Sequence, residues 1–132
     1  MSQENVEVVR RLFEAVGRGD IDDVIGCAAE DGVLDASRRL LGGRRFAGHQ
    51  GIREYFAMLD DVWSEIHTEP EDFIPAGDAV VVPVRVVNTG RASDITVGAQ
   101  AAWVAEVRDG KVERMTVYQS RAEALEAVGL PE

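Results

Sequence analysis

The feature that most constrains this chain is a change of hydrophobic period near Ile66. Before it, apolar residues recur three and four positions apart, the spacing of one helix face. After it they alternate, the spacing of a strand with one buried side. Val6, Val9, Leu12, Phe13 and Val16 predict a first helix, capped by Ser2, with Glu4 in the first turn and Gly17 and Gly19 as stops. Asp20, with Asp23 three residues on, predicts a second. Its stripe is Ile21, Val24, Ile25 and Ala28, Gly32 ends it, and a short strand follows at Val33-Leu34-Asp35-Ala36. Residues 37–48 read as a loop rich in arginine, and a third helix starts at about His49 with an aromatic stripe that includes Tyr55, Phe56 and Trp63.

Beyond the change, segments 66–75, 79–89, 95–107 and 112–119 read as strands, broken by Ala76-Gly77-Asp78, Asn88-Thr89-Gly90 and Arg108-Asp109-Gly110. Ile66 and Thr68 are expected to point inward and His67 outward. A last helix begins with a capping box of Ser120 and Glu123, turns Leu125 and Val128 inward, and stops at Gly129 and Pro131. This order predicts an α+β fold with helices gathered on one face of an antiparallel sheet.

A chain of 132 residues suits one domain, here residues 1–132. Fourteen Lys and Arg against twenty-four Asp and Glu leave a net charge of −10, which disfavours nucleic acid and membrane surfaces as partners. Cys27 is the one cysteine, so no internal disulfide can form; with two histidines it cannot build a zinc cluster, and no cofactor is expected. The polar start and the lack of a long apolar run lead to the expectation of a cytoplasmic protein.

A three-residue hairpin loop with a G1 bulge would pair Val107 with Lys111, Ala105 with Glu113, Trp103 with Met115, Ala101 with Val117 and Ala99 with Gln119. Small residues on that face predict a hollow instead of a filled core. Val82, Val84 and Val86 face the same interior, because the alternative would bury Arg85. The other face, with Arg85, Arg114, Thr116 and Tyr118, is the expected homodimer contact.

The stretches NVEVVRRLFEAVGRGDIDDVIGCAAEDGVLD, FAGHQGIREYF, IPAGDAVVV, VRDGKV and VYQSRAEALEAVGLPE resemble the SnoaL-like branch of the nuclear-transport-factor-two-like superfamily, over residues 3–130. The resemblance implies a cone-shaped barrel, a bent antiparallel sheet wrapped around helices, with an apolar pocket at its wide end and a dimeric state. Its members include polyketide cyclases, ketosteroid isomerase, limonene epoxide hydrolase, scytalone dehydratase and proteins without catalysis, so fold does not choose function. Asp35 matches the isomerase's general base. Leu12 and Trp103 stand where its oxyanion donors would be. Val84, Val86 and Val117 replace the residues that activate water in the epoxide hydrolase, and Val117 also replaces the cyclases' last-strand acid. Each chemistry therefore lacks a part.

The expected site has Asp35 as a base whose pKa is raised by an apolar hollow, with His49 or Gln119 as hydrogen-bond partner. The bland alternative makes Asp35 a strand-end acid beside the arginines and His49 a helix-start residue. Tyr55, Trp63 and Trp103 either clasp a flat ligand or pack the core, and Val84, Val86, Ala101, Met115 and Val117 complete the expected lining. Arg38, Arg39, Arg44 and Arg45 either attract a carboxylated ligand or belong to a solvated loop, and Gly42-Gly43 lacks the Lys and Ser/Thr of a phosphate loop. Three readings stay open. One is a small-molecule site with proton-transfer isomerase or cyclase chemistry, one a non-catalytic binding or scaffold protein, and one epoxide hydrolysis. A hollow of about 300 Å³ or more separates the first from the second.

Overall fold

The computed structural model describes residues 2–38 and 43–131, so Arg39, Gly42 and the capping side chain of Ser2 lie outside what is described. Helix α1 (Ser2–Arg18) buries Val9, Leu12, Phe13 and Ala15, and the chain turns at Gly19, whose φ of +69° suits a residue without a side chain. Asp20 caps α2 (Ile21–Gly26) by accepting the Asp23 N–H at 3.1 Å.

That helix is shorter than its stripe suggests. Strand β1 (Ala28–Asp35) already starts at Ala28, because Val112 N–H donates to the Cys27 carbonyl at 2.9 Å and Ala28 pairs with Val112. A long-range ladder thus overrides local helical spacing. Gly32 does not end a helix. It lies within β1, where a Cβ would stand 3.1 Å from the Ala29 carbonyl oxygen and 3.2 Å from that of Val112. The expected loop contains strand β2 (Arg45–Ala47), antiparallel to β1, with Phe46 opposite Leu34. Helix α3 (Gly48–Val62) follows and runs into β3 (Trp63–Pro70). The single segment expected at 66–75 is two strands, β3 and β4 (Ile74–Ala76), and both pair with β5 (Ala79–Gly90). Strands β6 (Thr96–Arg108) and β7 (Lys111–Tyr118) and helix α4 (Arg121–Ala127) complete the α+β fold.

The sheet runs β2-β1-β7-β6-β5-β3. It is unclosed, and β1 pairs parallel with β7 while the other pairings are antiparallel. Its inner face carries Val80, Val82 and Val84 with Ala105, Val107, Met115 and Val117, packed against α1 and α3 in one apolar cluster.

The hairpin differs from the expected register. Arg108 pairs with Lys111, leaving a two-residue turn in which Asp109 (φ 53°) and Gly110 (φ 75°) are both left-handed, a type I′ turn. The irregularity comes later, where Glu106 faces Arg114 but Val107 faces Val112. Trp103 therefore pairs with Val117 and Ala105 with Met115. A slip of two residues preserves the face of each of these side chains, as a slip of one would not. The extra residue turns Val112 into the core and leaves Glu113 to pair with Arg108 at 3.0 Å.

Helix α4 is not on the helical side. Ala124 and Leu125, with Val128 against them, cover Ala79, Val81, Ala102 and Val104 on the opposite face. This changes the expected dimer surface. Thr116 is buried, Tyr118 packs beside α4 under Arg38, and Arg114 is held by carboxylates, which leaves Arg85 the exposed member of that set. No helix among the described residues is long and apolar enough to cross a membrane.

Candidate functional site

A cavity of about 790 Å³ lies between α1, α2, α3 and β3, with Trp103 and Met115 as its floor on the sheet. From α1 it takes Leu12, Phe13 and Val16. Tyr55, Phe56 and Leu59 come from α3, and Trp63, Ile66 and Thr68 from β3. Each helix presents the stripe that its three-and-four spacing made apolar, so the patterns that build the core also build the walls. The aromatic walls are interlocked. Phe13 meets Trp103 edge-on at 5.8 Å, and Tyr55 meets Phe46 at 5.2 Å and Phe56 at 5.4 Å.

The alanines do not make this space. Ala105 is fully packed, and Ala101 lies against the core outside the cavity. The space lies where side chains of α1, α3 and β3 face one another above Trp103 and Met115. Among the residues expected to line a pocket, Tyr55, Trp63, Trp103 and Met115 border it. Val84 and Val117 are buried in packed core, and Val86 and Ala101 pack against that core. Gln119 is exposed, and its amide donates to the Arg38 carbonyl at 2.7 Å.

Asp35 and His49 do not border the cavity either. Alternation along β1 turns Leu34 toward Phe46 and Met115, and Asp35 to the opposite face beside Arg45 and Thr116. There Arg114 Nη2 and Arg45 Nε donate to Asp35 Oδ2 at 2.8 and 3.1 Å, while the Ser37 amide and hydroxyl donate to Oδ1. Burial pushes this carboxyl up, but the Ser37 hydrogen bonds and Arg45 outweigh it and bring the pKa down to about 2. A general base in a hollow requires a rise, whereas here the carboxyl is lowered and lies off the cavity, held by arginine and serine donors. His49, in the first turn of α3, has Nε2 3.3 Å from the Ala28 carbonyl oxygen, which ties the helix start to β1.

The buried polar or charged residues described are Asn5, Asp35 and Thr116, and none lines the cavity. The carboxylates that do border it, Asp60 and Glu69, are exposed, so polarity gathers at the rim. Arg53 pairs there with Asp22 at 3.1 Å, and His67 stands 3.6 Å from Glu65. Arg91, which the sequence did not single out, fastens one side. Its guanidinium donates to the carbonyls of Asp60 and Trp63 at 2.9 and 3.2 Å, and its N–H donates to the Val62 carbonyl at 2.9 Å. Phe13, Val16 and Phe56 were legible as stripes but not as walls, because periodicity identifies a buried face without saying whether a partner fills it. Among the described residues no group of three or more His, Cys, Asp or Glu is gathered to hold a metal.

Comparison with known proteins places this geometry. The family model described as a SnoaL-like domain matches residues 9–115. An NTF2-like protein of unknown function from Burkholderia pseudomallei superposes with a TM-score of 0.79 at 20% identity, covering 96% of this chain and 98% of that one. TerC, co-crystallised with polyporic acid, superposes at 0.78 with 24% identity, covering 95% and 98%. A proposed polyketide cyclase from Xanthomonas campestris pv. campestris gives 0.74 at 22% identity, covering 97% and 98%. At such identities the three share the fold with this chain.

Proposed function

The chain belongs to the SnoaL-like domain family, and from that premise we propose that its interior cavity receives a small, largely apolar organic molecule. The observation that carries this reading is a space of about 790 Å³ walled by five aromatic side chains, Phe13, Tyr55, Phe56, Trp63 and Trp103. It is well above the roughly 300 Å³ at which ligand sites begin. Apolar walls supply affinity through area, and polar groups at the rim orient what enters. TerC, a protein of the same fold, was co-crystallised with polyporic acid, a small organic molecule, which supports this reading.

Turnover takes second place. The cyclase or isomerase reading draws on the proposed polyketide cyclase of the same fold. Proton transfer needs a base within hydrogen-bond reach of substrate, and the carboxylate nominated for that role faces the other way with a pKa of about 2. We therefore favour binding without proton abstraction by Asp35. A cytoplasmic setting goes with this reading, in keeping with a lone cysteine that has no disulfide partner in the chain.

The test is titration with the uncharged fluorophore N-phenyl-1-naphthylamine. Saturable 1:1 enhancement with micromolar affinity, accompanied by quenching of Trp63 and Trp103, is the expected result. No enhancement at any protein concentration would remove the binding reading.

A further inference from the structure

Arg53, Asp60, His67 and Glu69 are the charged or basic residues at the border of the cavity, and their surroundings differ. Asp60 is engaged twice, since Arg91 donates to its carbonyl at 2.9 Å and pairs with its carboxylate at 3.4 Å. Glu69 is the cross-strand neighbour of Arg85 on the exposed side of β3, where alternation turns Ile66 and Thr68 inward. His67 stands on that same exposed side, beside Glu65.

Arg53 has capacity to spare. It lies on α3 one turn before Phe56 and Ala57, which both border the space, so its stem runs along the cavity wall. Its Nη2 donates to Asp22 Oδ1 on α2 at 3.1 Å, and among the described residues no other hydrogen bond engages the guanidinium. The Asp22 side chain is 85% exposed and does not border the cavity, so this pair is a weak one, held on the solvent side. A guanidinium carries several N–H donors in one plane, which leaves donors for a second acceptor arriving from the cavity.

The interior dictates where a ligand's polar end must lie. No buried polar or charged residue described lines the cavity, so a charged group drawn inside would lose its hydration without a partner. The arginines after β1 do not serve it. Arg38 lies over Tyr118, Arg44 over Phe46 with Glu54 as its ion-pair partner, and Arg45 holds Asp35; none borders the cavity.

We propose that Arg53 sets the charge specificity of the cavity and that the ligand it selects is a flat aromatic carboxylate. The ring system lies among Phe13, Phe56 and Trp103, and the carboxylate stays at the rim between α2 and α3, where the planar guanidinium matches it. This rests on the binding reading above and adds the sign of the ligand's charge. The net charge of −10 opposes an anion at a distance, but a screening length of about 8 Å at physiological salt leaves the nearest cation to decide.

Three naphthalenes that differ in one substituent test it: 1-naphthoate, 1-naphthalenemethanol and 1-naphthalenemethylamine, each displacing N-phenyl-1-naphthylamine at pH 7. The carboxylate is expected to bind at least about tenfold more tightly than the alcohol, with the amine weakest. Arg53→Gln should abolish that preference and leave the alcohol's affinity unchanged, with Arg53→Lys falling between. Asp22→Asn, which frees the guanidinium, should tighten 1-naphthoate about threefold, the scale of one exposed ion pair, and should lose this effect in the Arg53→Gln background. Glu126→Gln on α4, across the sheet, changes the protein's charge equally and should leave the preference intact. Displacement by all three compounds without preference for the carboxylate, or an Arg53→Gln variant that weakens acid and alcohol alike, would overturn the inference while cavity binding stands. Absence of any fluorophore enhancement would remove both.

Discussion

Arg114 lies 2.8 Å from Asp35 on the sheet face turned away from the cavity, and that pair holds the acid most open to a catalytic interpretation on the far side of the sheet. The Asp35 side chain is 7% exposed, so the contact is shielded from solvent on the carboxylate side. Its pKa of about 2 lies below the usual value for an aspartate. A depressed folded-state pKa contributes stability that is present above the unfolded value near 4 and is lost as pH falls toward 2, worth about 2 kcal/mol. Asp35→Asn is expected to lower the urea midpoint at pH 7 by a corresponding amount. The gap to the unmodified chain should close near pH 2, with probe affinity unchanged at pH 7. A large loss of probe binding in a stably folded Asp35→Asn would return the residue to the site.

Filling the cavity should do the reverse. Val16 borders the empty space and is only half-buried, so Val16→Phe has room to enter without overpacking. The expected outcome is a thermal midpoint within a few degrees of the parent and at least about tenfold weaker probe binding, followed by fluorescence titration.

The hairpin turn gives a purely conformational prediction. Gly110 holds a φ of 75°, which an L side chain reaches at a cost of about 1–2 kcal/mol. Gly110→Ala should therefore lower stability by that order, while Asp109→Asn, at a φ of 53° that asparagine favours in type I′ turns, should not. Chemical denaturation of the two variants side by side reads the difference.

Asn88 Oδ1 is buried and accepts no hydrogen bond among the described groups. An unsatisfied buried polar atom costs about 1–3 kcal/mol. Asn88→Val, a β-branched strand former without the polar atoms, is expected to raise the urea midpoint. A fall would show that the amide has a partner in solution.

How far the sequence carried the structure can be followed through particular residues. The helical stripe from Val6 to Val16 and the Asp20 and Ser120 caps were legible because they depend on neighbours a few positions away. Ala28 was misread as helical because its partner, Val112, is remote in sequence. The hairpin register slipped because Asp109-Gly110 suits both a two-residue and a three-residue turn, and only the later bulge near Val112 decides between them. Asp35 was placed by resemblance, yet which side of β1 it faces depends on the pairing of Leu34 with Phe46 in a strand read as loop. The walls from α3 were readable as aromatic spacing, whereas the gap behind them depends on how α1, α3 and β3, remote in sequence, are set against one another, which no local pattern encodes.

Arg91 has no part in the lining, yet three carbonyl groups at the junction of α3 and β3 lean on it. The corner where α3 passes into β3 is thus braced from outside the lining, like a door frame held by a bracket on the far side of the wall. Exchanging this one surface cation would release the two carbonyls that its guanidinium holds, those of Asp60 and Trp63, and leave every lining side chain as it is.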